Sequence, residues 1–158
     1  MSQIPEVSEC LNGFHTPIPK MFYSTYRVKE WDGKTTDGEQ CIDLEDETIN
    51  QDYADFFGVE VLDGSMLDEK DGKDKVVINE AAVKVFGWTQ PVGKKIAKLG
   101  KQYIVKGVIK NISYNAPIHP VAPAMFHLPD SRDRGGPIFR TINNSSYIMP
   151  FYSKFSSI

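Results

Sequence analysis

Asn50 to Leu67 reads NQDYADFFGVEVLDGSML, Val76 to Ile96 reads VVINEAAVKVFGWTQPVGKKI, and Tyr103 to Asn111 reads YIVKGVIKN; these three runs decide how the chain folds. Tyr53, Phe56 and Phe57 stand at i, i+3 and i+4 on one face of a helical turn, and Gly58 follows where a left-handed C-terminal cap belongs. Val59, Val61 and Met66-Leu67 flank Asp63-Gly64, so an extended segment turns there and runs on into the acidic loop Asp68 to Asp74. Val76-Val77-Ile78 is the β-branched run of a buried strand, and it ends at Asn79, an N-cap with Glu80 in the positive first turn of a helix. Ala82, Val83 and Phe86 form that helix's apolar face, Gly87 ends it, and Trp88 is placed to fold back on the last turn. Pro91 and Gly93 make a turn, after which Lys94 to Lys110 reads as a hairpin with a long, half-buried second strand. Phe56, Val77, Ile78, Val83, Phe86 and Trp88 are expected to share one core.

Outward from this block the signals weaken. Val7, Leu11 and Phe14 predict a short N-terminal helix, followed by an irregular connection through Pro17 and Pro19. Met21 to Trp31 alternates as a strand closed by Asp32-Gly33, and Gly38 to Ile49 reads as its antiparallel partner with an exposed acidic end at Glu45, Asp46 and Glu47. Pro117, Pro120 and Pro123 hold the chain out of any central strand until Ala124 to Leu128 re-enters a sheet. Ser131 to Gly136 reads as a loop and Tyr147 to Phe155 as a last strand.

The 158 residues, 41% hydrophobic and 25% charged, are ordinary for one globular domain or two small lobes, and enough to bury a core without staples. A net charge of -3 gives no general attraction for nucleic acid or an anionic membrane. No apolar run approaches the roughly 18 to 20 residues that span a bilayer, and the first residues lack the basic and apolar regions of a signal peptide. On residues alone the chain therefore reads as cytosolic. Cys10 and Cys41 fit either a disulfide or two small buried side chains.

Little in the sequence promises chemistry. His15, His119 and His127 share no metal-like spacing. Pro91-Val92-Gly93-Lys94-Lys95 lacks the earlier glycine and the following Ser or Thr of a phosphate loop, so it reads as a turn with solvated lysines. Asp68, Glu69, Asp71 and Asp74 crowd Gly72 as a loose calcium loop would, but miss the EF-hand spacing and read as a solvated loop. Ser65, Ser113 and Ser153 have no nucleophile context. No catalytic, metal or cofactor residue is assigned. Lys94, Lys95, Lys98, Lys101, Lys106 and Lys110 form a basic stretch that reads as the wet face of the hairpin or as a surface for an acidic protein.

The order Tyr53-x-x-Phe56-Phe57-Gly58, Leu62-x-Gly64, Val76-Val77-Ile78-Asn79-Glu80, Gly87-Trp88, Pro91-x-Gly93-Lys94 and Val105-x-Gly107-Val108-Ile109-Lys110 resembles the MacB-like periplasmic core domain of FtsX/MacB-type ABC transporter permeases. The resemblance covers about Ile42 to Asp130. It implies a soluble piece of a membrane protein, whose natural context lies on the periplasmic side of the bacterial inner membrane between transmembrane helices.

The expected fold is α+β. Residues 50–130 make a β-rich central lobe with short helices, and residues 1–49 with 131–158 make a partial membrane-proximal lobe. The implied function is non-catalytic: transmission of an ATP-driven conformational change to a periplasmic partner or substrate. Implied partners are the parent chain's own transmembrane helices, an ABC ATPase subunit or domain and a periplasmic adaptor or substrate, within a dimeric transporter. Lys95, Lys98, Lys101, Asp68, Asp71, Asp74 and Tyr114 are the expected partner-contact residues, on loops that a rigid scaffold presents. The alternative is a stand-alone secreted or surface-attached module, with Tyr114, Phe126 and Tyr147 lining a ligand groove.

Overall fold

In the computed structural model, residues 7–14, 25–35, 40–112, 120–130 and 136–141 are described. They divide between two units, Met1–Thr16 with Asp130–Ile158, and Pro17–Pro129. In chain order the elements are β1 (Val7–Phe14), β2 (Thr25–Val28), β3 (Glu30–Trp31), β4 (Ile42–Thr48), α1 (Gln51–Phe57), β5 (Val61–Gly64), β6 (Lys75–Asn79), α2 (Glu80–Phe86), β7 (Lys95–Lys98), β8 (Lys101–Ile109), β9 (Ala124–His127) and β10 (Gly136–Thr141). The fold is α+β, with two short helices against a mostly sheet core among the described residues.

The first unit is built on β1 and β10, paired antiparallel. The N-terminal segment is thus a strand where the sequence suggests a helix. Leu11 pairs with Ile138, and both are 5% exposed. A long-range ladder that buries this pair outweighs the helical spacing of Val7, Leu11 and Phe14, a preference too weak to hold alone in so short a segment.

The second unit holds an eight-stranded sheet in the order β2-β4-β9-β6-β8-β7-β3, with β5 added to β8. Since β2 and β3 are two pieces of one extended segment broken at Lys29, the sheet's two ends come from the same stretch and it closes on itself. Inside lie Val28, Leu44, Val76, Ile78, Ile96 and Met125, and α2 covers one end with Ala82 and Phe86. Residues 25–49 belong to this unit rather than with the chain ends, because β4 lies between β2, antiparallel, and β9, parallel. That position also corrects the expected exposed end at Glu45 to Glu47, which is half-buried against β9.

The segment Val76 to Trp88 folds as its residues dictate. Asn79 Oδ1 accepts from Ala82 N at 2.9 Å and from Ala124 N at 3.0 Å, while its Nδ2 donates to Ala122 O at 2.8 Å. One side chain, 2% exposed, caps α2 and fastens the entry of β9. Trp88 turns back as expected and stacks on Phe86, and its indole N–H donates to Asp32 O at 2.7 Å. Strand alternation divides the expected core: Val76 and Ile78 face the interior cluster, while Val77 pairs with Phe126 on the other face, both buried. Phe56 is half-buried and lies outside that cluster; on α1 it is Tyr53 and Ala54 that are buried.

Gly64 and Gly107 meet where β5 joins β8. A Cβ at Gly107 would stand 2.3 Å from Ser65 O, and one at Gly64, where φ is +68°, would stand 2.2 Å from Lys106 O. Only glycine permits backbones this close.

Candidate partner-contact surface

The acidic loop between β5 and β6 uses its carboxylates internally. Asp68 N donates to Asp71 Oδ2 at 2.7 Å and Lys70 N to Asp68 Oδ1 at 3.0 Å, while Asp71 N donates to Asp68 O at 2.8 Å. Lys106 of β8 donates to Asp71 Oδ2 at 2.5 Å, and Ile104 N donates to Asp74 O at 2.7 Å. The Lys106 ammonium, with the Asp68 amide behind it, holds the Asp71 carboxyl below the usual carboxylate range. The acidic loop and the basic hairpin, read from sequence as two separate charged surfaces, are therefore bonded to each other. A depression of about 500 Å³ lies beside the loop, lined by residues that include Asn50, Asp52, Ser65, Leu67 and Lys106. Among the described residues no group of three His, Cys, Asp or Glu side chains is placed to hold a metal ion.

The hairpin lysines differ in role. Lys98 points along the interior face beyond Ile96 and makes a short ion pair with Asp46 Oδ2; the side chains are 12% and 16% exposed. Its Nζ also sits 5.1 Å from the centre of the Tyr26 ring. The other oxygen, Asp46 Oδ1, is buried and has His127 Nδ1 at 3.4 Å, a contact that falls short of a hydrogen bond. Burial by itself would raise the Asp46 carboxyl, but His127 and Lys98 together outweigh it and lower it. Lys98 is thus a half-buried structural cation, not part of a wet face, because strand alternation from the buried Ile96 turns it inward. Lys110 pairs with Glu60 at 3.0 Å. Lys95 and Lys101 are exposed, with no ion-pair partner among the described residues.

At the hairpin's tip lies a residue that the sequence reading passed over. Leu99 is 79% exposed and has φ +50°, the one described non-glycine residue with positive φ; Gly100 follows at φ +75°. Positive φ at both central residues is the type I′ pattern, which favours Asn-Gly over Leu-Gly. Leu99 N donates to the Tyr26 hydroxyl at 2.9 Å. The signal was available: a two-residue Leu-Gly link between strands has no structural reason to be apolar.

Of the other expected residues, Phe126 is 3% exposed and cannot line a groove. Tyr114, Tyr147, His15 and His119 lie outside the described residues. Cys10 and Cys41 are exposed, and neither is in a disulfide. No helix among the described residues is long and apolar enough to cross a membrane.

Comparison with solved structures supplies the context for this geometry. The extracellular domain of the noncanonic ABC-type transporter YknZ from Gram-positive bacteria superposes with a TM-score of 0.51 and 21% identity, over 77% of this chain and 55% of that one. The chain has the fold of an ABC-permease extracytoplasmic domain. A domain assigned to a permease protein of Porphyromonas gingivalis shares this permease-domain fold at a TM-score of 0.56 and 16% identity, over 75% of this chain and 57% of that one. The periplasmic region of MacB from Actinobacillus actinomycetemcomitans superposes more loosely, at 0.46 and 20% identity over 70% of this chain and 50% of that one. The chain spans little more than half the length of the first two structures. No family model and no curated protein sequence matches it.

Proposed function

We propose that the chain is the extracytoplasmic domain of an ABC transporter permease of the MacB/FtsX type, and that it works without catalysis. The observation that carries this reading is the fold shared with the extracellular domain of an ABC-type transporter over three quarters of the chain. On this reading an ATPase in the cytoplasm changes the packing of the parent chain's transmembrane helices, and the domain carries that movement to an extracytoplasmic partner or substrate. The unit formed from the chain's two ends would be the membrane-proximal lobe, and Pro17–Pro129 the central lobe. The transporter works as a dimer, with helices and nucleotide-binding domains supplying much of the contact.

The closed sheet suits transmission. Strands β4, β9, β6, β8 and β7 are each bonded on both sides, and an interior of fully buried aliphatic side chains resists shear, since close-packed cores deform little. The test is purification of the full-length parent chain from membranes of its own host. An ABC ATPase should be present in stoichiometric amount, as a co-purifying subunit or as a domain of the parent chain; a parent chain that is secreted, or that has neither, would contradict the reading.

A further inference from the structure

We propose that the tip of the β7–β8 hairpin is a docking knob, with Leu99 as its apolar anchor and Lys95 and Lys101 as its charged collar. Its occupant is an acidic protein with an apolar recess. The proposal rests on the permease reading only for the side of the membrane on which that protein is met.

Two independent observations single out Leu99. Leu99 is the most exposed of the large apolar side chains described, at 79%, so its side chain gains almost nothing from the domain's own fold. Its backbone sits at φ +50°, where a branched aliphatic residue is disfavoured and Asn or Gly is not. A residue that is both strained and solvent-facing points to a role outside the fold.

The tip is nevertheless held firmly. The Leu99 N–H is bonded to the Tyr26 hydroxyl, and the neighbouring Lys98 lies over the Tyr26 ring while pairing with Asp46. A leucine fixed in place before docking loses little freedom when it enters a recess.

The collar then selects the partner. Lys98 is neutralised by Asp46, so it does not contribute. Lys101 stands directly across the ladder from Lys98, and Lys95 lies three residues back on the opposite face of the ribbon. Both are exposed and without an ion-pair partner among the described residues, on a chain whose net charge is -3. Positive charge on both faces of a protruding leucine complements an acidic rim around an apolar recess. An anionic membrane is a poorer fit, because one leucine and two lysines supply marginal anchoring and the rest of the chain is net negative.

The test places p-benzoyl-phenylalanine at position 99 of the full-length chain in its host, with position 85, also exposed and apolar, as control. The expected result is a protein adduct at 99 and not at 85, with mapped residues beside the cross-link rich in Asp and Glu. Lys95→Glu with Lys101→Glu should lower its yield about tenfold. With the photoreactive residue moved to position 102, Leu99→Asn should also lower the yield about tenfold, while the Tm of the purified chain stays level or rises because strain is relieved.

A lipid adduct, equal yields at 99 and 85, no loss with the charge reversals, or a fall in Tm in Leu99→Asn would each overturn the proposal. The presence of an ABC ATPase, as a subunit or as a domain of the parent chain, is scored in the same preparations. ATPase present with no adduct at 99 defeats the knob alone; an adduct with no ATPase defeats the permease reading and leaves the knob standing.

Discussion

Lys98 and Asp46, 52 residues apart in sequence, form a short ion pair, with Tyr26 beneath the ammonium. The pair joins β7 to β4, which are not neighbours in the ladder, and so ties the closing strands together.

Because His127 and Lys98 depress the Asp46 carboxyl, its contribution to stability is complete above the unfolded-state value of about 3.9 and is lost as pH falls through the lower folded value. Asp46→Asn is expected to destabilise the chain by about 1 to 3 kcal/mol at pH 7, since it leaves a half-buried ammonium without its countercharge. Below about pH 4 the difference between variant and wild type should shrink. Urea unfolding at pH 7, 5 and 3 measures this; a constant difference across the series would show that the carboxylate charge is not what matters.

Phe86 is 7% exposed, with Trp88 stacked on it at 4.3 Å and Trp31 tilted against it at 5.7 Å. Phe86→Ala should cost about 3 to 5 kcal/mol, whereas Phe56→Ala, at a half-buried position outside that cluster, should cost clearly less. The ranking is read from denaturant midpoints, and equal losses at the two positions would refute the assignment of the core.

Asn79 fills three hydrogen-bonding roles with one buried amide. Removing it in Asn79→Ala should cost about 3 kcal/mol, a helix cap plus two buried groups left without partners. Asn79→Asp keeps the cap and loses the donor to Ala122 O, so its cost should lie between wild type and alanine. An alanine variant as stable as wild type would mean that β9 is held without this residue.

At Gly107 a methyl group would meet Ser65 O at 2.3 Å, backbone against backbone. Gly107→Ala is therefore expected to displace β5 from β8 and to increase hydrogen exchange at Lys110 N, which donates to Glu60 O at 2.9 Å. Unchanged protection at that amide would show that the strands accommodate the side chain.

What could be read from the sequence followed how local the cause was. Gly58 and Gly87 cap their helices, with φ +64° and +67°, and Asn79 announces α2, because each signal acts within four residues. The β2 and β4 pairing was legible from alternation around Asp32-Gly33. The strand character of β1 was not, since it depends on β10 more than a hundred residues away. The same distance hid the burial of Lys98: nothing near it in sequence marks Asp46 as its partner. Leu99 was legible as a turn and overlooked as a surface, because a hairpin reading asks only whether the chain can reverse.

The proposal that most needs measurement is that the second unit, Pro17–Pro129, moves as one rigid body when the transporter's ATPase consumes ATP. Spin labels at positions 69 and 84, with Cys10 and Cys41 replaced, report a distance inside the second unit; a third label on the ATPase reports the unit's displacement in the reconstituted transporter. The 69–84 distance is expected to be the same with ADP and with a trapped ATP state, while the distance to the ATPase shifts by several ångströms. A changing internal distance, or no shift relative to the ATPase, would contradict it.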